Sequence, residues 1–452
     1  MDTRKCALRA GILIAATLAA AGLKAENPNR IRPLANDFVT VCRSPDPQRI
    51  YCYTPGICRL PSGRLVATCD FGGPGMGKEK DRGFAFVSDD HGATWRKTGA
   101  FRLVHARPFL AGGKLYILGH FGDLGVLCST DEGETWGPTK MLTQGEHWHQ
   151  SACSVWYAKG NVYLVMERSV QSADRHPHDW GVSWLEPIMM RAKEGDDLTV
   201  RESWTFAKSF CFNSIFGGNP DPELDYFGIP WYTSFMAFSR RTEKGWKTER
   251  PKGLPNAQPI GWLETNVVQF MDPNHVWYDP SGNTFHLFMR ANTSGAGYAA
   301  MAKVVEKPDG TMETSLETAP SGRKMLFLPF PGGQMRFHVL WDDKTKLYWL
   351  LSTQATDTLC RHDRLPAGRY NMPYDERQRL QLSFSRNMVD WCFAGLVAAG
   401  DSVPESRHYA SMAVDGEDLV VLSRSGTPKA KSPHDGDMIT FHRIRDFRSL
   451  VY

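Results

Sequence analysis

The sequence predicts an all-β chain folded as a six-bladed β-propeller, and three observations carry that expectation. Apolar segments are short, rich in Val, Ile, Phe, Tyr and Trp, and broken by Gly, Pro, Asn and Asp, while long amphipathic helical patterns are scarce. A unit of strand, polar turn and strand recurs six times. Two turns match one eight-residue pattern, SxDxGxTW, in full. With 452 residues, 42% of them hydrophobic and 23% charged, the chain has enough apolar side chains for a large core and is neither disordered nor of low complexity.

Taken in order, the chain opens with basic residues (Arg4, Lys5, Arg9), an apolar run over 10–22 and small residues leading to Ala25. This is the order of a secretory signal, so residues 1–25 are expected to be removed and the protein to be periplasmic or secreted. The run is short for a bilayer, and no later stretch reaches 18 uninterrupted apolar residues, so no membrane insertion is expected. The 53 basic and 49 acidic residues include Arg4, Lys5, Arg9, Lys24 and Asp2, so 49 bases face 48 acids beyond the signal. A near-neutral chain lacks the basic footprint of a nucleic-acid binder, and any anion it recognises must be held by a local site. Nine cysteines remain after Cys6, none in a CxxC pair or a Cys/His cluster with zinc spacing. They read as small buried hydrophobes, and neither metal nor cofactor is expected.

The six hairpins are TPGICRLPSGRLVAT from Thr54, ARPFLAGGKLYIL from Ala106, SACSVWYAKGNVYLV from Ser151, HVWYDPSGNTFHLF from His275, HVLWDDKTKLYWLL from His338 and YASMAVDGEDLVVL from Tyr409. No hairpin can bury both faces alone, so six of them with their outer strands pack radially as one domain over 26–452. The interval from Gly160 to Gly282 is long enough for a seventh, irregular blade. Its Gly/Pro-rich and aromatic content reads instead as a loop insertion around 209–258, and six blades are expected.

In a propeller the first strand of each blade lines the central channel, so residues just ahead of the hairpin turns converge at one mouth. The positions are Tyr53; His105 and Arg107; His149 and Gln150; Glu264, Asn266 and His275; Gln334, Arg336 and His338; and Glu405, Arg407, His408 and Tyr409. Arg290 and Arg168 end the strands FHLFMRA and YLVMER, as substrate contacts or as ion-pair partners. A channel that is only packed does not need Arg, His, Glu and Tyr in nearly every repeat. Trp148, Trp262, Trp231 and Tyr232 are candidates for sugar stacking.

The motif turns, Ser88–Asp90–Gly92–Thr94–Trp95 and Ser129–Asp131–Gly133–Thr135–Trp136, with a degenerate copy over 385–391, resemble the Asp boxes of sialidases. Those boxes are structural and face away from the active site. The resemblance implies a glycosidase without a cofactor, acting on terminal sialic acid. It departs from the family at blade one, where Tyr53-Thr54-Pro55 replaces the usual Arg-Ile-Pro, and near the last hairpin, where Arg407 stands close to the usual tyrosine and Tyr409 lies two residues on. By the same resemblance Asp81 is the proton donor, and Arg107, Arg336 and Arg407 supply the carboxylate grip. Tyr53 or Tyr409 attacks with Glu264 or Glu405 as base. Alternatively His105, His338 or His408 activates water directly. Arg290, Gln334 and His408 complete the expected substrate contacts. Two rivals stand beside the sialidase reading: a lyase or glycosidase of uronic-acid polysaccharide, and a non-catalytic glycan-binding propeller.

Overall fold

The computed structural model describes residues 31–77, 81–149, 153–170, 181–216, 224–225, 239–242, 245–248, 261–291, 297–356 and 376–452. From Pro33 to Tyr452 the chain forms one compact unit, a six-bladed β-propeller. Blade one comprises Tyr51–Arg59, Leu65–Gly72, Gly83–Ser88 and Arg96–Phe101. Blade two comprises Val104–Ala111, Lys114–Phe121, Asp123–Ser129 and Lys140–Met141. In blade three the inner strand is broken into Trp148–His149 and Trp156–Ala158, both paired with Asn161–Ser169, and Leu185–Lys193 and Trp204–Phe206 follow. Blade four holds Trp262–Val268, Thr284–Ala291, Tyr298–Glu306 and Met312–Ser315. Blade five holds His338–Asp342, Leu347–Thr353, Arg379–Ser385 and Cys392–Ala399.

Blade six is made from both ends of the described chain. Arg407–Asp415, Asp418–Ser425 and Met438–Ile444 are completed by the early strand Val39–Arg43, antiparallel to Met438–Ile444 with Val39 opposite Phe441. This pairing closes the ring and covers the outer edge of Met438–Ile444. Among the described residues the one α-helix is Asn213–Phe216, and no helix is long and apolar enough to cross a membrane.

Each blade buries its second strand on both faces, which is why those strands read as continuous apolar runs. Val162–Met166, Phe285–Met289 and Leu419–Leu422 are at most 1% exposed. Neighbouring blades then stack side chains between sheets, as where Tyr163 of blade three meets Phe285 of blade four at 4.3 Å between ring centres.

The motif turns connect the third and fourth strands of blades one and two. In the first, Ser88 Oγ donates to Asp90 and accepts the Gly92 N–H, both at 2.8 Å, and Asp90 accepts the Thr94 N–H and hydroxyl. Gly92 sits at φ 90°, where a Cβ would strike Phe441 at 2.3 Å. Ser129 and Asp131 repeat the pattern. The shorter copy in blade five uses Asn387, whose side chain accepts the N–H groups of Val389 and Asp390.

Blade four corrects the hairpin read from His275. Its inner strand is Trp262–Val268, and His275 lies in the long turn that follows, stacked on Phe270 at 3.9 Å. The apolar residues after His275 resemble a strand, but Asp272 and Asp279 cap local N–H groups and hold the segment as turns. The double-length interval between hairpins is accounted for by the outer strands of blade three and the 209–258 segment. Of that segment the structure describes 209–216, Leu224–Asp225, parallel to Lys324–Met325, and a hairpin of Ser239–Thr242 and Gly245–Thr248.

Candidate functional site

Four inner strands carry the same irregularity near the mouth of the channel. Pairing slips after Tyr53, Val104, Leu263 and His408, and the next residue takes a positive φ: Thr54 at 21°, His105 at 51°, Glu264 at 62° and Tyr409 at 51°. Such bulges re-aim one side chain per strand, and non-glycine residues keep this conformation only where surrounding contacts enforce it. Opposite the residue before each bulge stands a polar residue of the second strand: Asp70, His120, Arg290 and Arg424. In blade three Glu167 pairs with His149. Two polar rings, one from first strands and one from second, therefore meet at the mouth.

Blades four to six supply the cations. Arg290, Arg336, Arg377 and Arg424 are each at most 3% exposed. Arg290 donates through Nε to the Gln334 carbonyl at 2.9 Å and through Nη1 to the Tyr409 hydroxyl at 2.7 Å, and the same Nη1 lies 3.4 Å from Glu264 Oε2. Glu264 is fully buried, and its Oε1 has no hydrogen-bond partner among the described residues. Arg336 spends its guanidinium on the carbonyls of Tyr409 and Ala410, at 2.7 and 3.0 Å, which pins the Tyr409 bulge. The Arg424 guanidinium lies 4.1 Å from the Tyr53 ring centre and 5.1 Å from that of Tyr409. Arg377 donates to His408 Nδ1 at 3.2 Å, which places the imidazole proton on Nε2. Burial raises the Tyr409 phenol, with Arg290 acting against it and Glu264 adding to it.

Blades one to three supply two carboxyl groups that titrate near neutrality and a cluster of imidazoles. Burial raises Asp70 to about 7, although its Oδ1 accepts the His105 N–H at 3.2 Å. Burial raises Glu167 to about 8 against the two bonds it accepts from Thr265, and its second oxygen has no partner among the described residues. His105 and His120 touch through Nδ1 and Nε2 at 3.1 Å, and the His149 ring centre is 5.9 and 6.3 Å from theirs. Burial, then the neighbouring imidazoles, push His105 well down and His120 to about 3, so both are neutral at pH 7. The mouth thus has its guanidinium groups on the side of blades four to six and its imidazole cluster and raised carboxyls on the side of blades one to three.

Of the residues expected from sequence, Tyr53, His105, Glu264, Arg290, Gln334, Arg336, His408 and Tyr409 come together at this mouth. Tyr53 sits against Arg424 and donates to Asp435 at 2.9 Å, which commits its hydroxyl. Arg107 and His338 lie deeper, 3.2 Å apart, and line a cavity of about 480 Å³ with Trp156, Tyr157 and Trp341 on the opposite side of the channel. His338 Nδ1 accepts the Met412 N–H at 2.8 Å, so this imidazole is held as a channel plug rather than beside Tyr409. Asp81 is exposed in the loop just before the third strand of blade one and makes no side-chain bond to the cluster among the described residues. Arg407 turns away: it donates to the carbonyls of Ser406 and Gly426 and lies over Phe38, and Glu405 lines the same small cavity of about 250 Å³. The alternation of a strand explains this, because the face that carries His408 to the mouth sends Arg407 to the other side. Trp148 and Trp262 are buried core residues, and Arg168 is paired with Glu146 and Glu186. Gln150, Trp231 and Tyr232 lie outside the described residues.

Sequence reasoning missed Asp70, His120, Glu167, Arg377 and Arg424. A signal for four of them was present. The runs LVATCD, LYILGH, VYLVME and LVVLSR, like FHLFMR, are each five residues of strand followed by one polar group at the same sixth position.

No protein-family profile and no curated protein matches the chain. Among solved structures it is similar to a Hadza microbial sialidase, with a TM-score of 0.52 at 13% identity over 92% of this chain and 69% of that one. A Trypanosoma rangeli sialidase mutant displaying trans-sialidase activity gives 0.49 at 13% identity, over 93% of this chain and 60% of that one. The α-L-arabinanase of Penicillium chrysogenum gives 0.46 at 12% identity, over 93% and 100%. At these identities the likeness is one of fold: the chain has the six-bladed propeller architecture of that microbial sialidase.

Proposed function

We propose that the protein is an exported exo-glycosidase that removes a terminal acidic sugar, sialic acid first, from glycans such as those of mucin. The observation that carries this reading is the Tyr409 hydroxyl held by Arg290 beside Glu264, a buried carboxylate with one oxygen left open. A sugar that carries a carboxylate on its anomeric carbon repels a carboxylate nucleophile, whereas a phenol does not. In this reading Arg377 and Arg424 draw the sugar's carboxylate into the cationic half. Glu264 takes the proton from Tyr409 as its oxygen bonds the anomeric carbon. Asp70, half-protonated near pH 7, gives its proton to the departing oxygen, in place of the exposed Asp81. Water then attacks the anomeric carbon and gives its proton to Asp70, while the bond to Tyr409 breaks and Glu264 returns the first proton to the phenolate oxygen.

The test is release of free sialic acid from sialyllactose and mucin, with Tyr409→Phe and Glu264→Gln alongside. Release that both variants abolish supports the reading. No release from several linkages refutes it. The uronate polysaccharide reading is favoured by one observation, the Asp70 carboxyl raised to about 7 beside the imidazole cluster of His105, His120 and His149, which suits proton abstraction. A rise in near-ultraviolet absorbance on such a polymer would select it.

A further inference from the structure

We propose that His105, His120 and His149 form a binding site for a divalent transition-metal ion of the Zn²⁺ class. Each offers one ring nitrogen, and these three atoms lie within 4.8 Å of one another. His105 Nδ1 and His120 Nε2 are already 3.1 Å apart. Tetrahedral Zn²⁺ with Zn–N bonds of about 2.1 Å sets its ligand nitrogens about 3.4 Å apart, so one contact has the required spacing and the third imidazole needs a movement of about an ångström.

The backbone, more than the side chains, makes this arrangement. The bulge at Val104 turns His105 out of its strand, and His120 stands opposite Val104 on the next strand. His149 comes from the broken inner strand of blade three, paired with Glu167. Three ligands on three strands of two adjacent sheets, partly or fully buried, are held before any ion arrives. The proton between His105 and His120 does not obstruct binding. Transfer to the far nitrogen of one ring frees both lone pairs toward the ion without net release. Imidazole donors with no thiolate in the set select Zn²⁺, Co²⁺, Ni²⁺ or Cu²⁺ over Ca²⁺ or Mg²⁺. Three protein ligands leave a coordination position for water or a sugar oxygen. This inference stands independently of the sialidase reading, since binding requires no turnover.

The experiment is equilibrium dialysis of the metal-stripped protein against Zn²⁺ and Co²⁺, with His105→Ala, His120→Ala, His149→Ala and, as control, His275→Ala. The expected result is about one ion per chain, a tetrahedral Co²⁺ absorption band, and at least a tenfold loss of affinity in each of the first three variants but not in the control. Circular dichroism in chelator reports whether each variant folds. Should one not fold, the wild type alone decides: stoichiometric Zn²⁺ raises its melting temperature and chelator reverses the rise. Less than about one ion in ten chains, or affinity retained in any one of the three variants, overturns the three-ligand site.

Discussion

Replacing Asp70 with Asn tests whether the mouth holds a carboxyl that stays protonated near neutrality. The side chain is 2% exposed, and burial raises it from 3.8 to about 7. Between these values the native chain binds one proton more than the unfolded chain. The stabilisation from that proton is complete below about pH 4 and is lost as pH rises through 7. A shift of roughly three units at 1.36 kcal/mol each amounts to about 4 kcal/mol across the window. The amide of the Asp70→Asn variant would keep an acceptor for the His105 N–H but has no proton to lose. Urea unfolding of both proteins, followed by tryptophan fluorescence at half-unit steps from pH 4 to 8, should show the wild type falling relative to the variant by up to about 1.36 kcal/mol per unit. Other groups that titrate there, Glu167 among them, occur in both proteins and cancel. Parallel curves would refute the assignment, and with it the role of Asp70 as donor of the leaving-group proton.

Tyr409→Phe should lower kcat by about 10² to 10⁴ with little change in KM, read from initial rates on a sialoside. Glu264→Gln should do the same and also lower the melting temperature, because it leaves the buried Arg290 without its carboxylate at a cost of about 3 kcal/mol. At Gly72 a Cβ would fall 2.3 Å from the Tyr53 ring, so Gly72→Ala should displace that ring, break its bond to Asp435 and raise KM more than it lowers kcat. Cys42 and Cys69 face each other at 3.3 Å between sulfurs, and hydrogen bonds from Cys52 and Cys69 hold the Cys42 thiol well below its usual range. Peptide mapping after mild oxidation should find these two joined, and Cys42→Ser should prevent the crosslink.

Most of the architecture is legible in the sequence because strand, turn and strand is a local pattern, repeated often enough that one misplaced hairpin does not disturb the rest. The misplaced one, at His275, failed where Asp-capped turns contain apolar residues and imitate a strand. Tyr409, Glu264 and Arg336 were reachable because channel geometry turns a repeat position into a location. Arg407 was not, because period-two alternation sends it to the opposite face from His408, and a shift of one residue in the assumed register cannot be detected without the bulge. Arg377 and Asp435 come from outside the regular strands, where only the tertiary fold determines what they meet. Asp70 and Arg424 are different. Their place at the end of equal-length apolar runs was visible, but a polar residue at a strand end is ordinarily solvated and draws no notice.

The pairing of Val39–Arg43 with Met438–Ile444 has a consequence for how the protein is made. Of the described strands Val39–Arg43 is made first and Met438–Ile444, its partner, last. Until then five blades can form in succession from local contacts, but the ring stays open, with bare strand edges that proteases and chaperones recognise. A chain cut short anywhere before Met438 leaves the early strand unpaired. Ring closure therefore comes last, after every group at the mouth has already been made.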